Sequence, residues 1–176
     1  EDAENGLTVR FRSLLAGLYG DLKQLDERVR ELDQEVAAIT REHEPVRRLM
    51  QINGVGPLIA SALYALVGAA RQYRNGRDLA VALGLTPRQH SSGGKEKLLG
   101  ISKRGDKYVR TLLIHGARSA LRTAPSRTDR ISRWALALAE RSHPNVAVTA
   151  LANKTARVAW AMLRHGANYE PERVAA

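Results

Sequence analysis

The first quarter of the chain carries apolar residues spaced alternately four and three apart, the pattern of one long helix with a single apolar seam. The pattern continues for about four heptads without a proline and predicts a helix from Thr8 to Glu42. Because the seam is too narrow to form a globular core, it requires a partner helix. The seam consists of Phe11, Leu15, Leu18, Leu22, Leu25, Val29, Leu32, Val36 and Ile39.

A two-stranded coiled coil is the arrangement that this seam favours, since Leu fills most d positions and Val some a positions. We predict a dimerisation surface centred on Leu18, Leu22, Leu25, Val29 and Leu32. The flanking charges favour neither strand orientation. The partner is another copy of the chain, a helix N-terminal to it, or both, and the alternative is a helix lying on its own domain.

The charge of the chain is strongly positive after this helix. The net charge is +10, and residues 85–130 carry 11 basic and 3 acidic side chains, whereas residues 1–44 carry 6 basic and 11 acidic ones. A positive excess focused on one segment is typical of a protein that binds a phosphate backbone. The alternative is a generally basic protein without a nucleic-acid partner.

Composition also argues against several classes of site. There is no Cys, so we expect neither a disulfide framework nor a thiolate nucleophile or metal ligand. The five His have no metal-ligand spacing, and carboxylates are sparse after the first helix, so we predict no metal and no cofactor in this chain. No apolar run reaches the length of a membrane span.

The rest of the sequence predicts a mainly α protein in two domains. Residues 1–44 form the coiled-coil linker helix, and residues 45–176 form a compact helical domain with a helix-hairpin-helix and a small β-hairpin or loop insertion. In the run Gly54-Val55-Gly56-Pro57, two glycines allow a tight turn and proline opens a helix. Free amides at that helix start could hold a phosphate. The alternative is a plain turn between two core helices.

The segment Leu85–Gly105 is the least helical and most glycine-rich part of the basic region. We expect a β-hairpin with Gly93-Gly94 in its turn and Lys97–Ile101 as the return strand. Two serines, Ser91 and Ser92, precede the glycines. Attack of a hydroxyl on a phosphodiester needs exposure, room for the backbone and nearby cations. The cations close in sequence are Arg88, Lys95, Lys103 and Arg104. From spacing alone, both catalysis and an ordinary turn stay open.

A second basic feature follows at the start of the next helix, predicted from about Asp106 to Thr123. Lys103 and Arg104 would lie beside its free amides and form a phosphate pocket. Arg110 is predicted to continue this site along the helix, on one face with Arg118 and Arg122.

These motifs together resemble the C-terminal transposase domain of the insertion-sequence-110 family, which includes Piv-type DNA invertases and bridge-RNA-guided serine recombinases. The resemblance lies in INGVGPLIASALYALVG and in RDLAVALGLTPRQHSSGGKEKLLGISKRGDKYVRTLLIHGAR, and covers about residues 47–122. It implies that the serine before the first glycine, Ser92, is a nucleophile that forms a covalent phosphoserine link to DNA. The adjacent Ser91 is a competitor for this role.

The resemblance also implies what lies outside the chain. A RuvC-like N-terminal domain would supply an acidic cluster with Mg²⁺, and since the chain begins with Glu1 rather than Met, we expect it to be part of a longer protein, inactive alone. The implied partners are DNA, further copies of the chain and, in several members, a bridge RNA. The implied location is the nucleoid of the bacterial cytoplasm. Two alternatives remain: a non-catalytic helix-hairpin-helix module for nucleic-acid binding and dimerisation, and a structural coiled-coil adaptor.

Overall fold

The structure, a computed structural model, describes residues 5–90 and 98–172. These residues are mainly helical, as predicted, with seven α-helices and one pair of short strands among them. The chain divides into two units, Glu1–Ile39 and Thr40–Ala176. No helix in the described ranges is long and apolar enough to cross a membrane.

The first helix, α1, runs from Val9 to Glu42, which confirms the predicted helix to within one residue. Most of its heptad seam is exposed: Leu18 is 65% exposed and Leu25 is 64% exposed, whereas Val36 is half-buried. Leucines at this exposure leave apolar area in water that a partner helix would cover. The coiled coil and its dimerisation surface stay predictions.

The second unit holds the remaining helices, and prolines mark the start of three of them. The sequence predicts that Pro45 ends the first helix, but α1 has already ended at Glu42, and Pro45 lies in the first turn of α2. A first-turn proline lacks only an N–H that has no partner within the helix. The helices are α2 (Glu44–Leu49), α3 (Pro57–Val67), α4 (Gly76–Ala82), α5 (Lys107–Thr123), α6 (Arg130–Arg141) and α7 (Pro144–His165).

Asparagine or aspartate side chains cap three of these helices. Asn75 accepts hydrogen bonds from the first amides of α4, and Asp106 accepts one from the Val109 N–H at 2.7 Å at the start of α5. Asp129 caps α6 by accepting from the Ser132 N–H at 3.0 Å. Burial raises the pKa of Asp129, but hydrogen bonds from Ser132 and Arg127 outweigh it, so the net pKa lies below the ordinary value. Such caps stabilise a helix by about 1 kcal/mol each.

The core of the second unit forms where α7 packs against α4 and α5. Small residues on α7 (Ala152, Ala156 and Ala159) are fully buried and let the helices approach closely. Each large buried leucine, such as Leu83 or Leu113, contributes about 2 kcal/mol by leaving water. The core therefore fixes the ends of α4 and α5, between which the strands lie.

The two strands form an antiparallel ladder between α4 and α5. Strand β1 spans Pro87–Gln89 and strand β2 spans Leu98–Ile101. Pro87 is opposite Ile101 and Gln89 is opposite Leu98, with an irregularity between the two pairs. This pairing confirms the predicted hairpin, whereas its predicted turn at Gly93-Gly94 lies outside the described residues.

Candidate nucleic-acid interface

The predicted helix-hairpin-helix glycines lie in the connection between α2 and α3. Gly54 has a φ of +83°, and its backbone meets that of Gly116 on α5 so closely that a Cβ on either residue would overlap the other. Gly56 precedes α3 as its N-cap, with open space around it. Packing against α5 thus explains Gly54, and the start of α3 explains Gly56. A helix-hairpin-helix contact with DNA stays a prediction for both.

Arg48, one of two cations that the sequence places beside this turn, has a structural role. Its guanidinium donates to the Gly166 carbonyl and lies 3.0 Å from the Glu44 carboxylate. The bond to Gly166 attaches α2 to the end of α7, whereas the ion pair with Glu44 lies within α2. The neighbouring Arg47 side chain is exposed. Of the two cations, only Arg47 is therefore open to a ligand.

The base of the β ladder is fixed by backbone hydrogen bonds on both sides. The Ser102 N–H donates to the Thr86 carbonyl at 2.8 Å, and the Lys103 N–H donates to the Gly84 carbonyl at 3.1 Å. Arg88 is exposed on β1. The proposed nucleophile Ser92, its competitor Ser91 and the cation Lys95 lie outside the described residues. The structure therefore defines the anchors of the serine segment.

The turn into α5 contains two cationic side chains and the carboxylate that caps the helix. Lys103 and Arg104 are exposed, and Lys103 has a φ of +56°, which is uncommon for a residue with a Cβ. Gly105, at a φ of +94°, packs against the Ala82 carbonyl. The Asp106 carboxylate caps the helix and takes the position where a phosphate would meet the first amides. The two cations are accessible, and the Asp106 side chain already satisfies one amide of the predicted phosphate pocket, that of Val109.

Arg110 requires a correction. It is only 8% exposed, and its Nη1 donates to the Leu83 carbonyl at 3.0 Å and to the Asp106 carbonyl at 3.3 Å. The prediction of one shared face with Arg118 is wrong because eight residues of an α-helix turn through about 80° beyond two full turns. Arg110 therefore joins the end of α4 to the start of α5 instead of facing a phosphate.

The exposed basic face of α5 is shorter than predicted. Arg118 and Arg122 are both exposed, four residues apart and hence on one side of the helix. Lys107 is exposed in the first turn. These side chains can meet a phosphate backbone without rearrangement of the core.

A cleft of about 750 Å³ opens between the β ladder and the N-terminal parts of α6 and α7. Its walls are mostly apolar, with cations at the rim. Asn153 holds one side in place by donating to the Leu85 carbonyl at 3.2 Å. The lining residues are Leu85, Pro87, Leu99, Gly100, Ile101, Lys103, Arg130, Ile131, Trp134, Asn145, Val146, Thr149, Ala150, Asn153, Lys154 and Arg157.

The described charged side chains that line this cleft are all positive. The Lys154 ammonium lies 4.7 Å from the centre of the Trp134 ring, which holds it by a cation–π contact. Partial burial, and then the charges of Arg157 and Arg130, lower the pKa of Lys154. Within residues 5–90 and 98–172, no ion pair involves Arg130, Lys154 or Arg157. Three neighbouring cations without a carboxylate partner among the described residues favour the binding of an anion at this rim.

Sequence reasoning missed this cleft. No motif of the sequence assigned a ligand-binding role to Trp134, Arg130, Lys154 or Arg157. A weak signal exists, since Lys154 and Arg157 are three apart and therefore adjacent on a helix otherwise rich in alanine. Their proximity to Trp134 depends on how α6 packs against α7, which spacing does not reveal.

No group of three His, Asp or Glu side chains able to hold a metal ion occurs in the described part of the chain. A Mg²⁺ ion of the kind that the family resemblance implies therefore has no fitting ligand set among these residues.

Comparison with known proteins identifies the class to which these features belong. A family model described as "Transposase IS116/IS110/IS902 family" matches residues 46–132, which include the ladder, α5 and the turn before α3. The chain is 48% identical to a probable family 20 transposase of Pseudomonas aeruginosa over 158 residues, covering 90% of this chain and 47% of that protein.

Two further relatives agree. The transposase for insertion sequence element IS1111A of Coxiella burnetii is 47% identical, covering 93% of this chain and 45% of that protein. The transposase for insertion sequence element IS1328 of Yersinia enterocolitica is 39% identical, covering 87% of this chain and 46% of that protein. The chain belongs to the IS116/IS110/IS902 transposase family. It spans about half the length of the curated relatives it matches.

Proposed function

We propose that this chain is the nucleophile-bearing part of a DNA transposase, in which Ser92 forms a covalent phosphoserine link to DNA during strand cleavage and exchange. The observation that carries the proposal is the family match, because residues 46–132 include Ser92 and the glycines after it. The net charge of +10 supports a nucleic-acid partner.

The chemistry is a transesterification. The Ser92 Oγ attacks phosphorus, a new O–P bond forms, and the bond to one sugar oxygen breaks. The proton lost by Oγ ends on the departing sugar hydroxyl, so no other reactant is consumed. Cations stabilise the charge that builds up on the phosphoryl oxygens. Lys103, Arg104 and Arg88 are exposed around the base of the ladder and suit this role, and Lys95 is proposed from sequence alone.

The remainder of the active site is proposed to lie in the other half of a longer transposase. The chain spans about half of its relatives and contains no fitting metal ligands among its described residues, so an acidic Mg²⁺-binding domain would come from elsewhere. The α1 seam would join two or more copies, with the complex acting in the bacterial nucleoid. A guide RNA is a further partner that the resemblance suggests.

The test uses the full-length transposase that contains this chain, with a DNA substrate whose nick traps the attached strand. We expect Ser92→Ala to abolish the denaturant-resistant protein–DNA adduct and strand exchange while changing the Kd for duplex DNA less than twofold. Ser91→Ala is the matched control and should retain the adduct. Strand exchange by Ser92→Ala would exclude Ser92 as the nucleophile.

The alternative function is a non-catalytic module for nucleic-acid binding and dimerisation. The exposed face of Lys107, Arg118 and Arg122 favours it, because this face needs no serine chemistry. Both functions predict that affinity falls steeply with salt. Salt-sensitive binding by a full-length protein that forms no adduct would support the alternative.

A further inference from the structure

The cleft between the β ladder and α6–α7 combines apolar walls with a cationic rim. Its walls are apolar at Ile101, Ile131 and Val146, and its rim is cationic at Arg130, Lys154 and Arg157. The described residues that line it include no Asp or Glu. A ligand that is apolar at one end and anionic at the other fits both surfaces, and a nucleotide of the proposed DNA partner has this form.

We propose that this cleft binds one unpaired nucleotide of a DNA strand, with the base against the apolar walls and the phosphate at Arg130, Lys154 and Arg157. The proposal deepens the proposed function, and it rests on that function only for DNA as the partner. The cleft, at about 750 Å³, lies in the ordinary range for a small-ligand site.

The position of Lys154 is fixed before any ligand arrives. Its ammonium lies over the Trp134 ring at 4.7 Å, so little side-chain freedom is lost when it meets an anion. Partial burial, and then the nearby like charges of Arg157 and Arg130, lower the pKa of Lys154, so these two arginines repel its ammonium. A bound phosphate would relieve that repulsion, whereas an uncharged apolar ligand would not.

An unpaired nucleotide is favoured over an intact duplex because the cleft is concave. A paired base exposes only its edge in a groove, and its apolar faces are covered by the stack. Only a base that has left the stack can place a face against Ile101 and Val146. Burying one face of a base against these aliphatic side chains removes apolar surface from water, and we expect it to raise the affinity about tenfold.

The test measures Kd by fluorescence anisotropy for two DNA duplexes that differ only by one bulged 2-aminopurine nucleotide. We expect the 176-residue chain to bind the bulged duplex about tenfold more tightly than the paired one. We also expect the 2-aminopurine emission to change as the base leaves water. The same bulge in RNA forms the comparison arm, and a stronger preference there would overturn the assignment to DNA.

A matched pair of variants tests whether the preference for the bulged duplex depends on the cleft. Val146 lines the cleft and is 52% exposed, whereas Val81 lies on α4 outside it and is 56% exposed, so both tolerate a polar replacement. Val146→Asp should abolish the tenfold preference and the change in emission. Val81→Asp makes the same change of charge and should leave the preference intact.

A second pair tests the rim. Arg157→Gln should reduce the preference for the bulge, whereas Arg164→Gln, an exposed position at the other end of α7, should weaken both duplexes equally. Thermal unfolding of each variant confirms that it is folded.

Equal Kd values for the two duplexes, or a preference unchanged in Val146→Asp, would overturn the cleft assignment and leave the serine chemistry standing. Conversely, loss of the serine assignment in the adduct assay would leave a bulge preference unaffected.

Discussion

Arg110 offers a direct test of whether a cation in the basic region holds the fold or the nucleic acid. The replacement Arg110→Met keeps a long side chain but removes every donor. The Nη1 of Arg110 donates to the Leu83 carbonyl at 3.0 Å, in a part of the chain where Leu83 is fully buried. The Asp106 carbonyl keeps a partner in the Arg110 N–H, which lies 3.4 Å away.

The expected loss follows from these contacts. A hydrogen bond from a charged donor contributes roughly 1.5–3 kcal/mol, and leaving the buried Leu83 carbonyl unpaired accounts for much of that value. We therefore expect Arg110→Met to lower the free energy of unfolding by about 2–3 kcal/mol. In a domain of this size, that change lowers the Tm by about 5–10 °C.

Arg118→Met is the matched control because it changes the same residue type on the exposed face of α5. It should alter the free energy of unfolding by less than about 0.5 kcal/mol, but it should weaken duplex binding and reduce the salt dependence by about one counterion. Denaturant unfolding and anisotropy titrations at several salt concentrations measure both quantities. If Arg110→Met left stability unchanged and weakened binding as Arg118→Met does, the structural role of Arg110 would be refuted.

Two further predictions concern charge and the α1 seam. Asp129→Asn keeps the capping oxygen but removes the charge, so it should lower stability at pH 7 by roughly 0.5–1 kcal/mol. Because the folded pKa of Asp129 is lowered, this difference should hold above the ordinary pKa of about 4 and vanish as pH falls through the folded value; a difference that persisted at pH 2 would contradict it. Leu25→Asp with Leu32→Asp should reduce the sedimenting mass to that of one chain, and an unchanged mass would reject self-association through the seam.

The helix boundaries could be predicted from sequence because their signals are local. Pro57 opens α3 through its fixed φ, and Asn75 and Asp106 cap α4 and α5 through hydrogen bonds to amides within three residues. The heptad seam likewise predicts α1, since its period alone fixes the helix. Such features need no knowledge of what the element packs against.

The surroundings of the candidate site could not be predicted in the same way. Whether Arg110 is buried depends on where α4 ends in space, because its acceptor is Leu83, 27 residues earlier. Gly54 looks like a phosphate-binding glycine in sequence, but its partner is Gly116 on another helix. The cleft likewise assembles from three separate elements. In each case a contact between distant segments decides the role, and a linear pattern carries no signal for it.

The backbone bonds at the base of the ladder bear on how the serine segment could vary in length. The bonds from Ser102 to Thr86 and from Lys103 to Gly84 close a loop whatever lies between its ends. The entropy of closing a loop grows only with the logarithm of its length, by about 0.6 kcal/mol for each doubling. Lengthening a flexible connection between the two strands would therefore add little closure entropy. Under the proposed serine chemistry, the requirement that Ser92 reach a phosphate would limit the length of this connection more than stability would.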